Sequence, residues 1–226
     1  MIYVTGDTHG PIDQFKTEVF CVQHNVTSND YLIICGDFGG VWFGNDNAFD
    51  IATRNYYKDQ PWTILFVDGN HENFDLLNSY PVTEWHGGKI HQIDGQIIHL
   101  MRGQIYEIDG HSFFTMGGAR STDQHNRTEG ISWWSQEMPS DQEYEEALNN
   151  LTRYNNNVDY ILSHCAPDSI HDAIGHGYYI HDKLTNFLEV VRQTVTFNHW
   201  YFGHYHQDND WNNKYSCLYN RIIELD

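Results

Sequence analysis

Asp30-Tyr31-Leu32-Ile33-Ile34-Cys35-Gly36-Asp37 is an unbroken apolar run that ends on a glycine and an aspartate. Such a run, without the alternation of a half-exposed strand, is expected of a strand covered on both faces, as in the parallel core of an α/β sheet. The same grammar recurs on either side. Ile2-Tyr3-Val4-Thr5 runs into Gly6-Asp7-Thr8-His9, and Thr63-Ile64-Leu65-Phe66-Val67 runs into Asp68-Gly69-Asn70-His71-Glu72. Further on, Tyr160-Ile161-Leu162 leads to Ser163-His164-Cys165, and the aromatic run His199-Trp200-Tyr201-Phe202 leads to Gly203-His204-Tyr205-His206. In open α/β sheets, ligands gather beyond the carboxyl ends of the strands. Asp7, Asp37, Asn70, His164 and His204 are each expected there, so they can converge although they are distant in sequence. Asp7 with His9, and His204 with His206, are two residues apart and can face one side of an extended segment. The neighbouring glycines are expected to let the backbone turn sharply. Aspartate, asparagine and neutral imidazole make a mixed oxygen and nitrogen set, suited to manganese, iron, zinc or nickel rather than to a soft thiolate metal. One carboxylate shared by two ions would hold them about 3.5–4 Å apart, and Asp37, alone in its segment, is the natural bridge.

The intervening sequence fits alternating strands and helices. Ile12, Phe15, Val19 and Val22 predict a helix over 11–24, a second is expected over 46–58, and Phe74, Leu76, Leu77 and Tyr80 mark a short one. Strands are expected at 97–101, 104–108 and 112–116, with Asp109-Gly110 as a hairpin turn, and this block is expected to start a second, antiparallel sheet. Residues 119–138 have no period and read as a long loop, often a functional feature. Ser140 and Glu143 fit a capping box at the start of the next helix. After it come a strand at 158–163, a His-rich loop at 165–181, a helix at 182–194, a strand at 199–202 and a strand pair after 213. Without a repeat, low-complexity tract or linker, the 226 residues are expected to form a single domain.

Composition narrows the setting. The N-terminus lacks a basic region followed by an apolar stretch, and no apolar run approaches membrane-spanning length. Cys21, Cys35, Cys165 and Cys217 are scattered without CxxC spacing, as expected of buried thiols in a reducing compartment, so the cytoplasm is the expected location. The formal charge is −19, from 12 basic and 31 acidic residues. Duplex nucleic acid is held by lysine and arginine against phosphate, so no duplex-binding face and no membrane interaction are expected. A small phosphorylated substrate remains compatible, because divalent cations reverse the local sign.

As a set, Asp7-Thr8-His9, Gly36-Asp37, Gly69-Asn70-His71-Glu72, His164 and Gly203-His204-Tyr205-His206 resemble the calcineurin-like metallophosphoesterases, over residues 5–206. The resemblance implies a four-layer αββα sandwich of two mixed β-sheets flanked by helices. It implies two divalent metal ions, manganese foremost, with iron, zinc, nickel or magnesium as alternatives. Asp7, His9 and His206 would hold one, Asn70, His164 and His204 the other, and Asp37 would bridge. Attack of a metal-bound hydroxide on phosphorus would follow, with His71 contacting the phosphate or protonating the leaving oxygen. The implied substrate is a phosphomonoester or phosphodiester, small or nucleotide-like.

The sequence departs from one branch of that family. Ser/Thr protein phosphatases of this type carry Gly-Asp-x-x-Asp-Arg-Gly, whereas here the segment runs Gly36-Asp37-Phe38-Gly39-Gly40-Val41, leaving His71 without a visible carboxylate partner. A protein phosphatase is therefore disfavoured. A nuclease acting on single strands stays open, and a non-catalytic scaffold is disfavoured because Asn70 and His71 are both present. Arg120 and Arg127 are candidates to clamp a substrate phosphate, or surface partners for this chain's carboxylates. Glu72 is either support for the site or a helix-starting acid. His171, His176 and His181 read as a polar surface loop rather than a third metal site, and Trp133-Trp134 as a loop anchor rather than a base-stacking pair.

Overall fold

The computed structural model describes residues 1–12, 20–21 and 23–225. The helix expected over 11–24 lies largely outside the described residues. Within them, strands β1 (Ile2–Thr5), β2 (Tyr31–Cys35) and β3 (Thr63–Val67) pair in parallel. They form the centre of a seven-stranded sheet. Beyond β3 lie β6 (Ile97–Leu100), β5 (Gly88–Asp94) and β4 (Val82–Trp85), and β13 (Ile223–Leu225) flanks β1. A six-stranded sheet runs in the order β11 (Asn209–Trp211), β12 (Tyr215–Cys217), β10 (His199–Phe202), β9 (Tyr160–Ser163), β8 (His111–Met116) and β7 (Ile105–Ile108). Both sheets mix parallel and antiparallel pairs.

The strands are buried on both sides because alternate residues feed different cores. Ile2, Val4, Ile33, Cys35, Leu65 and Val67 point between the sheets, where they meet Phe113, Tyr160, Leu162 and Tyr201. Tyr3, Leu32, Ile34, Ile64 and Phe66 point the other way and pack with Tyr57 of helix α1 (Ala48–Lys58) and Phe74 and Leu77 of α2 (Phe74–Leu77). On the far side of the second sheet, Phe114, Met116, Ile161, Trp200 and Phe202 pack with residues of α3 (Asp141–Arg153), α4 (Asp168–Gly175) and α5 (Lys183–Thr194). Three apolar interiors thus separate four layers, and the fold is an αββα sandwich of two mixed sheets. The Ser140–Glu143 capping box opens α3 as expected.

Three expectations need correction. The strand at 97–100 does not start the second sheet; as β6 it pairs in parallel with β3 and completes the first. The hairpin β4–β5 was not foreseen, because its turn is His86-Gly87 instead of Asn-Gly or Asp-Gly. Both residues adopt positive φ, 48° and 91°, as that turn type demands. The Asp109-Gly110 turn, with φ of 50° and 85°, was foreseen and opens the second sheet between β7 and β8. Finally, the strands after 213 do not pair with each other: β12 joins the second sheet and β13 crosses back to the first. No helix among the described residues is long and apolar enough to cross a membrane.

A buried ionic network lies just past the ends of β3 and β6. Asp68, just past β3, accepts from Arg102 Nε and Nη2 at 2.8 and 2.5 Å and pairs with His99 Nε2 at 3.1 Å. Burial would raise the Asp68 carboxyl, but Arg102 and His99 outweigh it and hold the group well below the usual carboxylate range. Arg102 Nη2 also donates to the carbonyls of Gln136 and Glu137, at 2.9 and 3.3 Å, and so anchors the far end of the 119–138 segment. Removing one partner of such a pair strands a buried charge, at a cost of about 3–5 kcal/mol. Arg102→Met is expected to lower stability by about that amount in urea unfolding, and the double variant Asp68→Asn/Arg102→Met by less. An unchanged midpoint in the single variant would remove the network from this role.

Candidate metal centre

The five motif segments meet at the carboxyl ends of β1, β2, β3, β9 and β10. Asp7, His9, Asp37 and His206 each bring one donor atom to a common space, all within 4.8 Å of one another. His164 also reaches Asp7, its Nδ1 3.7 Å from Asp7 Oδ1, and Asn70 adjoins it. His164 Nε2 is 3.2 Å from Asn70 Oδ1 and 3.4 Å from Asp37 Oδ2, and the His204 ring stands 5.0 Å from the His164 ring. Asp37 Oδ2 is also 3.6 Å from His9 Nε2, so one carboxylate oxygen lies between the two groups. Its other oxygen accepts from the His71 backbone N–H at 2.7 Å.

The donor set fits cations on local grounds. Asp7 and Asp37 are buried. Asp7 Oδ1 accepts from the His204 N–H at 2.7 Å, but its Oδ2 has no hydrogen-bond partner. His206 Nε2 is 3.1 Å from that oxygen, a contact that raises the His206 pKa. That oxygen and the Nε2 atoms of His9 and His206, themselves 3.1 Å apart, lie within reach of one cation. The electrostatics agree. Burial opposes protonation of His164, yet Asp37 and Asp7 outweigh it and push its pKa up to about 10. Burial would likewise raise the Asp37 carboxyl, but His164, His71 and His9 hold it far below the ordinary range. His204 is driven the other way, down to about 3, by burial and by the neighbouring His164. Two carboxylates removed from water thus demand positive charge, and binding a cation would displace the His164 proton.

Local backbone geometry explains the glycines. A Cβ on Gly36 would stand 2.1 Å from His164 Nδ1, one on Gly69 2.0 Å from Asp37 Oδ1, and one on Gly203 1.9 Å from Asp7 Oδ1. Each of these three glycines therefore vacates the space that another motif's side chain occupies. Of the three, Gly36 alone has positive φ, at 96°, so sharp turning is a secondary role at the other two. The strain falls on the donors themselves: His9, Asp37, His204 and His206 have φ of 48°, 49°, 67° and 49°. Such conformations cost of order 1–3 kcal/mol each in a non-glycine residue and cluster at functional sites. Backbone bonds hold the loops in place, with His9 N–H donating to the Asp37 carbonyl at 2.7 Å and Gly203 N–H to the His164 carbonyl at 3.0 Å.

His71 borders the same space, with Asp37, Asn70, His204 and His206. Among the described residues its hydrogen-bond partner is not a carboxylate. Arg127 Nη1 lies 3.3 Å from His71 Nδ1, and Arg127 Nε pairs with Asp123 at 2.8 Å. Because arginine only donates, Nδ1 accepts and the ring proton sits on Nε2. Burial lowers the His71 pKa, partly offset by Asp37, with Arg127 adding to the lowering. Arg127 therefore belongs to the site, on its His71 side. Arg120 is exposed and lines a separate cleft that shares His204 and His206.

Glu72 is support rather than a helix-starting acid. It is buried, its Oε1 accepts from the Phe38 N–H at 2.9 Å, and burial and the Asp37 charge raise its pKa strongly. Two residues escaped the sequence reading. Asn70 Nδ2 donates to Ser121 Oγ at 3.0 Å, and Ser121 Oγ donates to Glu137 Oε2 at 2.7 Å. Glu137 also accepts from the Ser121 backbone N–H and from Gln124. This relay fixes the Asn70 amide so that its oxygen faces His164. The only sequence signal was the placement of both residues in the aperiodic 119–138 segment.

The expected His-rich loop is in part helix α4, Asp168–Gly175. His171 is buried in it and bonds the Tyr205 hydroxyl at 2.6 Å, while His181 pairs with Asp172 and Asp168. Trp134 is the anchor that was expected, buried with its indole N–H on Asp75 and its ring against Trp42.

A comparison with curated proteins finds no match. The model of the calcineurin-like phosphoesterase family matches residues 1–208, which takes in β1 through β10 and every motif segment described above. The chain belongs to the calcineurin-like phosphoesterase family.

Proposed function

We propose that this protein is a dinuclear metallohydrolase that cleaves a phosphomonoester or phosphodiester bond in a small or nucleotide-like substrate. Family membership implies metal-dependent phosphoester hydrolysis. The finer reading rests on Asp37 Oδ2, which lies 3.4 Å from His164 and 3.6 Å from His9 and can serve both groups at once. In this reading Asp7, His9 and His206 hold one ion, Asn70, His164 and His204 the other, and Asp37 bridges. The mixed oxygen and imidazole set suits manganese, iron, zinc or nickel, and manganese, foremost in the family resemblance, is the ion proposed. Bound there, the pair supplies an activated water and neutralises charge on the phosphoryl oxygens.

The chain's own residues supply the rest. His71, neutral and protonated on Nε2, donates to a phosphoryl or leaving-group oxygen. Arg127 fixes that tautomer and adds a positive charge beside it. Ser121 and Glu137 hold the Asn70 oxygen toward His164. The absence of the Asp-x-x-Asp-Arg-Gly signature after Gly36 disfavours protein substrates, and the acidic charge disfavours duplex nucleic acid. We place the protein in the cytoplasm on the strength of its unpaired cysteines, and take residues 1–226 as one domain because the sequence holds no repeat or linker.

His71→Ala is expected to lower kcat about 10²–10⁴-fold while elemental analysis shows unchanged metal content. Retained turnover would take His71 out of the reaction. Asp37→Ala should instead lose bound metal, and Gly69→Ala should do the same by displacing the Asp37 carboxylate; full occupancy in both would remove the bridge. Ser121→Ala frees the Asn70 amide and is expected to weaken metal binding about 10–100-fold, as read by chelator competition. An unchanged affinity would reduce the relay to packing.

A further inference from the structure

A cleft of ≈ 580 Å³ opens beside the metal centre and shares His204 and His206 with it. Bound phosphate would fill only a small part of it, and pockets of about 300–1,000 Å³ commonly enclose whole small ligands. One wall is Tyr178-Tyr179-Ile180, where α4 passes into α5. These three side chains are 89%, 44% and 75% exposed, a contiguous apolar strip at the mouth of a polar site. Such strips mark binding surfaces more often than isolated exposed residues do.

The wall is built rather than loose. The Tyr179 ring stands 5.0 Å from His171 and 5.8 Å from Tyr205, and it packs so closely on Gly175 that a Cβ there would lie 2.4 Å from it. Behind it, the Tyr205 hydroxyl accepts from the Ala166 N–H at 3.2 Å and is free to donate to His171 Nδ1. That leaves the proton of buried His171 on Nε2, which lacks a partner among the described residues. Arg120 also lines the cleft, and its guanidinium forms no hydrogen bond or ion pair among the described residues. Asp182, although nearby, is committed to the N-terminus of α5.

Flat aromatic faces, a planar unpaired guanidinium and polar edges from Thr122 and Gln124 suit one class of group above others: a nucleobase. A nucleic-acid strand would need a run of cations along its backbone, and among the described residues Arg120 is the sole lysine or arginine lining this cleft. We propose that the cleft is the base-binding site for a mononucleoside phosphoester, with phosphorus at the metal centre and the base laid on Tyr179 between Tyr178 and Arg120. This rests on the phosphoesterase reading above and names its substrate class.

The test compares two ligands that carry the same phosphate on ribose, one with a base and one without. Calorimetry of adenosine monophosphate and ribose 5-phosphate is done on the manganese-loaded full chain. The nucleotide is expected to bind about 10- to 100-fold tighter, from stacking of one base. Tyr179→Ala should bring that ratio close to one while leaving ribose 5-phosphate affinity in place. Tyr178→Ala, on a side chain 89% exposed, should reduce the ratio with no risk to the fold. Equal affinities in the parent protein overturn the proposal, as does a preference that survives both substitutions. The underlying phosphoesterase reading fails separately, if the manganese-loaded protein hydrolyses neither p-nitrophenyl phosphate nor bis(p-nitrophenyl) phosphate.

Discussion

Two carboxylates, Asp7 and Asp37, are buried at the ends of neighbouring parallel strands, and the surrounding architecture is arranged around them. Carboxylates out of water are costly unless positive charge or hydrogen-bond donors reach them. Each has one oxygen satisfied by a backbone N–H from a distant loop, His204 for Asp7 and His71 for Asp37. The second oxygen of each faces imidazoles. Those two backbone bonds join β1 to the β10 loop and the β2 loop to the β3 loop. The carboxylates therefore position the very segments that carry the remaining donors, and the first bond spans the two sheets.

This convergence is costly in backbone terms. Four donors hold left-handed φ, and three glycines are required so that side chains from other strands can occupy the space of a Cβ. Left to itself the chain would relax these conformations. What holds them is over-determination from the surrounding fold: the apolar strands behind the loops are buried on both faces, and the Asp68–Arg102 pair fixes the chain just past β3 to the end of the 119–138 segment. A cation adds stabilisation that is available only in the folded arrangement, since the donors are scattered in the unfolded chain.

Much of this was legible in the sequence. The strand-then-turn grammar singled out the segments whose side chains converge, Asp7, His9, Asp37 and His206 among them, because a strand fixes where its end lies and a glycine advertises crowding. The same glycines were read for turning, whereas at Gly69 and Gly203 the physical need is room for Asp37 and Asp7. What was not legible depends on contacts without periodicity. Ser121 and Glu137 are sixteen residues apart on a segment of turns, and nothing local marks a buried glutamate there as the support of Asn70. The β4–β5 hairpin was hidden by its His86-Gly87 turn and by an exposed edge strand. The crossing of β13 back to the first sheet depends on the long-range pairing of Ile2 with Leu225, to which residue pattern is blind.

The environment of His71 sets this site apart from one built around a histidine–carboxylate pair. A carboxylate on Nδ1 would stabilise a protonated ring and favour full proton donation. Arg127 on Nδ1 does the opposite: it requires a lone pair there and repels the imidazolium. The ring is therefore kept neutral with its one proton on Nε2. A neutral imidazole is a weak acid but a good hydrogen-bond donor, so in the proposed reaction its contribution would be to charge forming on oxygen more than to complete protonation. Arg127 is in turn held by Asp123, on the same segment that brings Ser121 and Glu137 to Asn70. The 119–138 segment thus sets the orientation of both members of the Asn70-His71 pair, and the Asp68–Arg102 network that anchors its end at Gln136 and Glu137 couples fold stability to the geometry of the reacting groups.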